Sequence, residues 1–206
     1  MTRGFLFPPL LALVVAAGSA ALAWETDGFR VVTSAGARQL SVERQPRPLP
    51  DVQLFDQNGT VFSLAEYRGR PVLVDFIYTR CPTLCSALGD DFHRVLELMS
   101  GGGQGAPVDL LSISFDPGND DREALRFYGD RYGAAAPRWR IAAPADARGL
   151  TALLQSFGVV VIPDGAGGFI HNSAIYFVDA RGRLAHILDP DAPPQLLAQA
   201  LQGHLP

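Results

Sequence analysis

Cys81 and Cys85 are the only two cysteines in a chain of 206 residues. They stand four apart in Thr79-Arg80-Cys81-Pro82-Thr83-Leu84-Cys85. The run before them, Pro71 to Tyr78, is almost continuously apolar and β-type, so the pair falls where a buried strand hands over to a helix. Pro82 suits a first helical position, where its missing N–H costs nothing. Cys81 then takes the cap, and Cys85 lies one turn further along the same face. Free amides and the helix dipole at such an end favour a thiolate, which raises both reactivity and metal affinity. At helical spacing the two sulfurs stand one above the other and can hold one ion between them. Two thiolates suit a soft ion such as Cu(I), and one imidazole would complete a three-coordinate site.

Two other uses of the pair compete with a metal clamp. A redox dithiol is one, although common redox motifs place two residues between their cysteines and this chain places three. Inert core is the other, since positions 81, 85, 88, 92, 95 and 99 form one apolar stripe and buried Cys behaves as a small hydrophobe. Four histidines are candidates for the imidazole. His93 falls one position beyond Phe92 of the stripe and points off the site, His186 lies inside a strand, and His204 lies in the tail. His171 follows the Gly165–Gly168 loop and precedes a strand, a place where ligands gather in α/β sheets. A loop histidine pinned by structural hydrogen bonds is the plain alternative for it.

The elements that must position these groups follow from periodicity. Val52–Phe55 and Thr60–Ser63 flank Asp56-Gln57-Asn58-Gly59, a hairpin signal near the start of the domain. Ser63 and Glu66 form a capping box for a short helix. After the strand at 71–78 a helix is expected over 82–100, then a second buried strand at 108–115. An amphipathic helix follows at 122–132, a strand at 139–142 and a helix at 145–157. Ala174–Val178 and Leu184–Leu188 read as a second hairpin, and 194–202 as a last helix. Strands alternating with helices imply an α/β fold, a central mixed sheet with helices on both faces.

Composition narrows the chemistry further. All 17 basic residues are Arg, so Schiff-base chemistry and a P-loop lysine are excluded. A net charge of −4 argues against a nucleic-acid partner, which needs a basic face. Arg3 precedes an uncharged apolar run from Phe5 to Trp24 that ends in Ala21-Leu22-Ala23, a signal-peptidase pattern. Residues 1–23 are therefore expected to be a signal peptide or an N-terminal membrane anchor. Either places the domain outside the cytoplasm, where cysteine pairs can oxidise. Residues 24–45 read as a lead-in linker, and 46–206 as the domain.

Three segments together resemble a known family. Asp75-Phe76-Ile77-Tyr78-Thr79-Arg80-Cys81-Pro82-Thr83-Leu84-Cys85, Ser112-Ile113-Ser114-Phe115-Asp116-Pro117 and His171-Asn172-Ser173 are similar to the motifs of the Sco/SenC proteins. The resemblance covers about residues 46–203. It implies a thioredoxin-like fold and copper, as Cu(I), Cu(II) or both, held by Cys81, Cys85 and His171. It also implies a metallochaperone role in assembling cytochrome c oxidase, with the copper-bearing oxidase subunit as partner and other periplasmic copper chaperones or thiol oxidoreductases as further ones. The expected location is the periplasm or the outer face of the inner membrane. The same dithiol could reduce thiols of the recipient. The alternative function is a thiol–disulfide oxidoreductase or thiol peroxidase, with Cys81 as nucleophile and Cys85 as resolving thiol. Two residues depart from the family pattern: Ser86 follows the second cysteine in place of Pro, and Ile170 precedes the distal histidine in place of Asp.

Overall fold

The computed structural model describes residues 7–26, 28, 33–81, 84–100 and 108–188. The chain divides into two compact units, Met1–Arg44 and Gln45–Pro206. The first contains α1 (Phe7–Glu25) and α2 (Ser34–Arg44). α1 is apolar on all sides and exposes Leu11, Val14 and Leu22. Among the described residues no helix is long and apolar enough to cross a membrane. α2 lies within the stretch expected to be a linker; its start is marked by the Thr33 hydroxyl, which accepts the Gly36 amide at 3.0 Å. Ser, Gly, Gln and charged residues separate its few apolar side chains, so its periodicity is weak and did not mark a helix.

The second unit is built on an eight-stranded mixed sheet. Its strands are β1 (Arg47–Pro48), β2 (Gln53–Asp56), β3 (Val61–Ser63), β4 (Val72–Ile77), β5 (Asp109–Ser114), β6 (Trp139–Pro144), β9 (Ile175–Val178) and β10 (Arg183–Leu188). They lie in the order β1-β10-β9-β4-β5-β6-β2-β3. β4 pairs in parallel with β5, and β5 with β6; the outer pairings are antiparallel. The remaining strands, β7 (Val161–Pro163) and β8 (Phe169–His171), form a separate two-stranded hairpin. The α/β fold and the early hairpin are as the sequence implies. In that hairpin, β2–β3, the Asp56 carboxylate takes the Asn58 and Thr60 amides across the turn. The Ser63–Glu66 capping box is formed, opening a short 3₁₀ helix at Leu64–Tyr67.

β4 and β5 are buried on both faces because helices cover both. α3 (Leu84–Ser100) and α4 (Arg122–Tyr132) lie on one side, where Phe92 packs against Trp139 at 5.8 Å and the α4 backbone at Gly129 approaches Ile141. α5 (Ala147–Phe157) covers the other, where Phe157 meets Phe76 and Tyr176, each at 5.1 Å. α3 and α4 approach closely at Gly89, where a Cβ would lie 2.8 Å from the Tyr132 ring. The expected helix start at Pro82 and the final helix at 194–202 lie outside the described residues.

Candidate metal centre

β4 ends at Ile77, and Tyr78, Thr79 and Arg80 carry the chain to Cys81. Cys81 is 7% exposed, and its amide donates to the Tyr78 carbonyl at 3.1 Å, closing a turn. The Ser86 hydroxyl, from the first turn of α3, donates back to the Cys81 carbonyl at 3.3 Å. The residue that departs from the family's Pro thus contributes a bond that Pro could not. Cys85 is the second residue of α3, three positions before the buried Leu88; its side chain lies outside the described residues.

The turn is held from below by a polar cluster. Asp120 is fully buried, and its carboxylate accepts the Thr79 amide at 3.0 Å, the Thr79 hydroxyl at 2.6 Å and the Ser114 hydroxyl at 2.5 Å. Beside it, Asp116 takes the Arg80 guanidinium at 2.8 Å and the Asn119 amide at 3.0 Å. The Asp116 carbonyl also accepts the amides of Asn119 and Asp120, so Asp116-Pro117-Gly118-Asn119-Asp120 is a turn whose side chains brace the residues before Cys81. Nothing in the sequence marked Asp120 as buried or as the acceptor for Thr79.

His171 ends β8 rather than standing in a loop. Its ring is half-buried against Phe115 at 4.9 Å and Tyr78 at 6.5 Å, both edge-on. Burial holds its imidazole below the usual histidine range, so it is neutral near pH 7 with a lone pair for a metal. The Ser173 hydroxyl lies 3.3 Å from Nδ1. Tyr78 joins the two parts of the site, since its carbonyl receives the Cys81 amide while its ring touches His171. The other histidines are engaged elsewhere: His93 sits between the Tyr132 carbonyl and Glu97, and His186 is buried against Phe177. His204 lies outside the described residues. Among the described residues no three His, Cys, Asp or Glu side chains gather closely enough to share an ion, a statement that does not reach the Cys85 side chain.

A mixed sheet whose central strand delivers a cysteine turn to the start of a helix, with helices on both faces, defines a thioredoxin-like protein. The chain belongs to the SCO1/SenC family, whose model matches residues 43–205. The SCO1 protein homolog of Bacillus subtilis (strain 168) is 28% identical over 134 residues, 63% of this chain and 67% of its own. A SCO1/SenC family lipoprotein from Bacillus anthracis str. Ames superposes with a TM-score of 0.68 at 21% identity, covering 77% of this chain and 96% of that one. ScoI of Bradyrhizobium japonicum, solved with copper bound, gives 0.61 at 24% identity over 75% and 97% of the two chains. BsSco, described as a member of the Sco family of cytochrome c oxidase assembly proteins with a disulfide switch, gives 0.65 at 22% identity over 76% and 92%. At such identities these structures establish a shared fold.

Proposed function

We propose that this chain is an exported copper-binding factor for the assembly of cytochrome c oxidase. In this reading Cys81 and Cys85 bind copper as thiolates, and His171 adds a neutral imidazole. Copper is cargo, passed to the oxidase subunit that carries the copper centre. The donor set suits it, because two thiolates hold Cu(I) and an added imidazole serves Cu(II). One observation supports the reading most: the Cys81 turn and the His171 ring meet on a single residue, Tyr78. Binding releases the thiol protons, and oxidation of the pair to a disulfide removes both thiolates, so redox state gates loading. The same dithiol can reduce a disulfide of the recipient, gaining its own disulfide as the recipient gains two thiols. The domain proper, residues 46–206, would work in the periplasm or at the outer face of the inner membrane, with residues 1–23 cleaved or kept as an anchor and 24–45 leading in. A periplasmic reporter fused after Trp24 should be active.

Anaerobic titration of the reduced protein with Cu(I) tests the ligands. One copper per chain is expected, and Cys81→Ala or Cys85→Ala should abolish tight binding, since no other thiol exists. Either variant holding copper stoichiometrically would refute the clamp. His171→Ala should keep Cu(I) but alter the Cu(II) spectrum. If it leaves oxidase assembly intact in cells while Cys81→Ala destroys it, thiol reduction replaces metal delivery as the function.

A further inference from the structure

We propose that the packed rings of Phe115 and Tyr78, 4.9 and 6.5 Å from the His171 ring, are the positioning element that holds His171 toward the Cys81 turn and thereby set the capacity of this site for Cu(II). The inference rests on the ligand set proposed above and deepens it.

β7 and β8 form a sheet of their own, so no ladder of the main sheet fixes where His171 stands. Two other devices hold the hairpin. At its base, the Asn172 side chain accepts the Val160 amide at 2.6 Å and donates to the Gly158 carbonyl at 3.0 Å. These bonds anchor the backbone beyond His171 without touching the imidazole. Along its inner face, Phe169 and His171 stand two residues apart and point the same way, against Tyr78 and Phe115. Phe169 lies 5.3 Å from Tyr78 and 5.4 Å from Phe115, and the Tyr78 and Phe115 rings are 5.5 Å apart. The outer face offers no competing hold, because Ile162 and its cross-strand partner Ile170 are exposed.

Tyr78 and Phe115 are themselves buried. They are 6% and 5% exposed, and they directly follow the central strands β4 and β5. The Phe115 amide continues the ladder by donating to the Ile77 carbonyl at 3.0 Å. The two rings therefore transmit the position of the rigid sheet to the imidazole, while the Tyr78 carbonyl transmits it to Cys81. Cu(I) is satisfied by two thiolates, whereas Cu(II) draws on nitrogen. Loss of the seat should consequently weaken Cu(II) more than Cu(I).

The full chain, reduced and anaerobic, is compared as wild type, Tyr78→Phe, Tyr78→Leu, Phe115→Leu, His171→Ala and the double variant Tyr78→Leu/His171→Ala. Cu(I) affinity is measured by competition, and the Cu(II) spectrum and affinity immediately after mixing. Supporting residues of metal ligands are commonly worth about 10- to 100-fold in affinity, and a Cu(II) loss of that size, larger than any accompanying loss of Cu(I) affinity, is expected for Tyr78→Leu and for Phe115→Leu. Tyr78→Phe, which keeps the ring, should match wild type, and the double variant should be no worse than His171→Ala alone. An unchanged Cu(II) spectrum in both Tyr78→Leu and Phe115→Leu, or additive losses in the double variant, overturns the proposal. The metal-free proteins supply a second readout, the ring-current shift of the His171 ring protons. In each leucine variant the contribution of the ring that remains should also be lost, Phe115 in Tyr78→Leu and Tyr78 in Phe115→Leu; a remaining-ring contribution preserved in both also overturns the proposal. Should either leucine variant not fold, the other carries the test. If His171→Ala itself leaves Cu(II) unchanged while the ring shift behaves as expected, the ligand assignment fails and the aromatic seat stands.

Discussion

Asp120 takes three hydrogen bonds from the two segments that flank the candidate centre, two from Thr79 and one from Ser114. Truncating it leaves the buried Ser114 hydroxyl and the two half-buried Thr79 donors without this acceptor, which is costlier than losing the bonds alone. Asp120→Ala should destabilise the protein by about 2–4 kcal/mol in denaturant unfolding. It should also weaken Cu(I) binding by about tenfold, because the residues just before Cys81 lose their brace. Asp120→Asn keeps one acceptor oxygen and should fall between. A variant with wild-type stability would show that Thr79 finds another partner. Arg80 is different: it is half exposed where it meets Asp116, so solvent screens the pair and its loss should cost little stability.

β4 carries an unusual load for a central strand. Asp75 is fully buried in its middle, and neither carboxylate oxygen has a hydrogen bond of good geometry. Burial pushes its carboxyl from the ordinary 3.8 up to about 7, and Ser112, level with it on β5, offsets only part of that. As pH rises the unfolded chain therefore ionises first. Between about pH 4 and 7 it holds fewer protons than the folded protein, so this group lowers stability across that window and adds nothing further above it. Asp75→Asn should remove that slope. Relative to wild type it should gain stability steadily from pH 4 to 7 and then level off, by at most about 4 kcal/mol. Urea titrations of both proteins across the window measure the difference, and parallel curves would mean that Asp75 ionises normally.

For the molecule as a whole, the unit Gln45–Pro206 has its own core on both faces of the sheet, built around Trp139, Phe92, Phe157 and Tyr176. Residues 45–206 produced alone should unfold in one cooperative step and bind one copper with the affinity of the full chain. Loss of binding would tie the centre to residues 1–44, and two separated transitions would show that residues 45–206 are not one cooperative unit. The exclusion of lysine chemistry also holds for the entire chain, because it follows from composition.

By itself the sequence determined whatever depends on short-range order. Continuous apolar runs marked β4 and β5, helical spacing marked α4 and α5, and two short apolar runs around a turn marked the β9–β10 hairpin, because each such pattern is complete within one or two adjacent elements. Asn58-Gly59 marked the β2–β3 turn, and the handover from strand to helix marked Cys81 and Cys85 as the chemical pair. The family motifs picked out His171, yet its surroundings came from the fold. Phe115 lies 56 residues from His171 and Tyr78 lies 93, and no local pattern encodes which rings will meet across such separations. The burial of Asp75 and Asp120 was hidden for the same reason, since a carboxylate in a strand or turn reads as solvated until the neighbouring elements close over it. β7 and β8 were too short, at three residues each, to show a period at all. Periodicity reports what one element does to its own side chains; the site is made where several elements converge, and only their packing decides that.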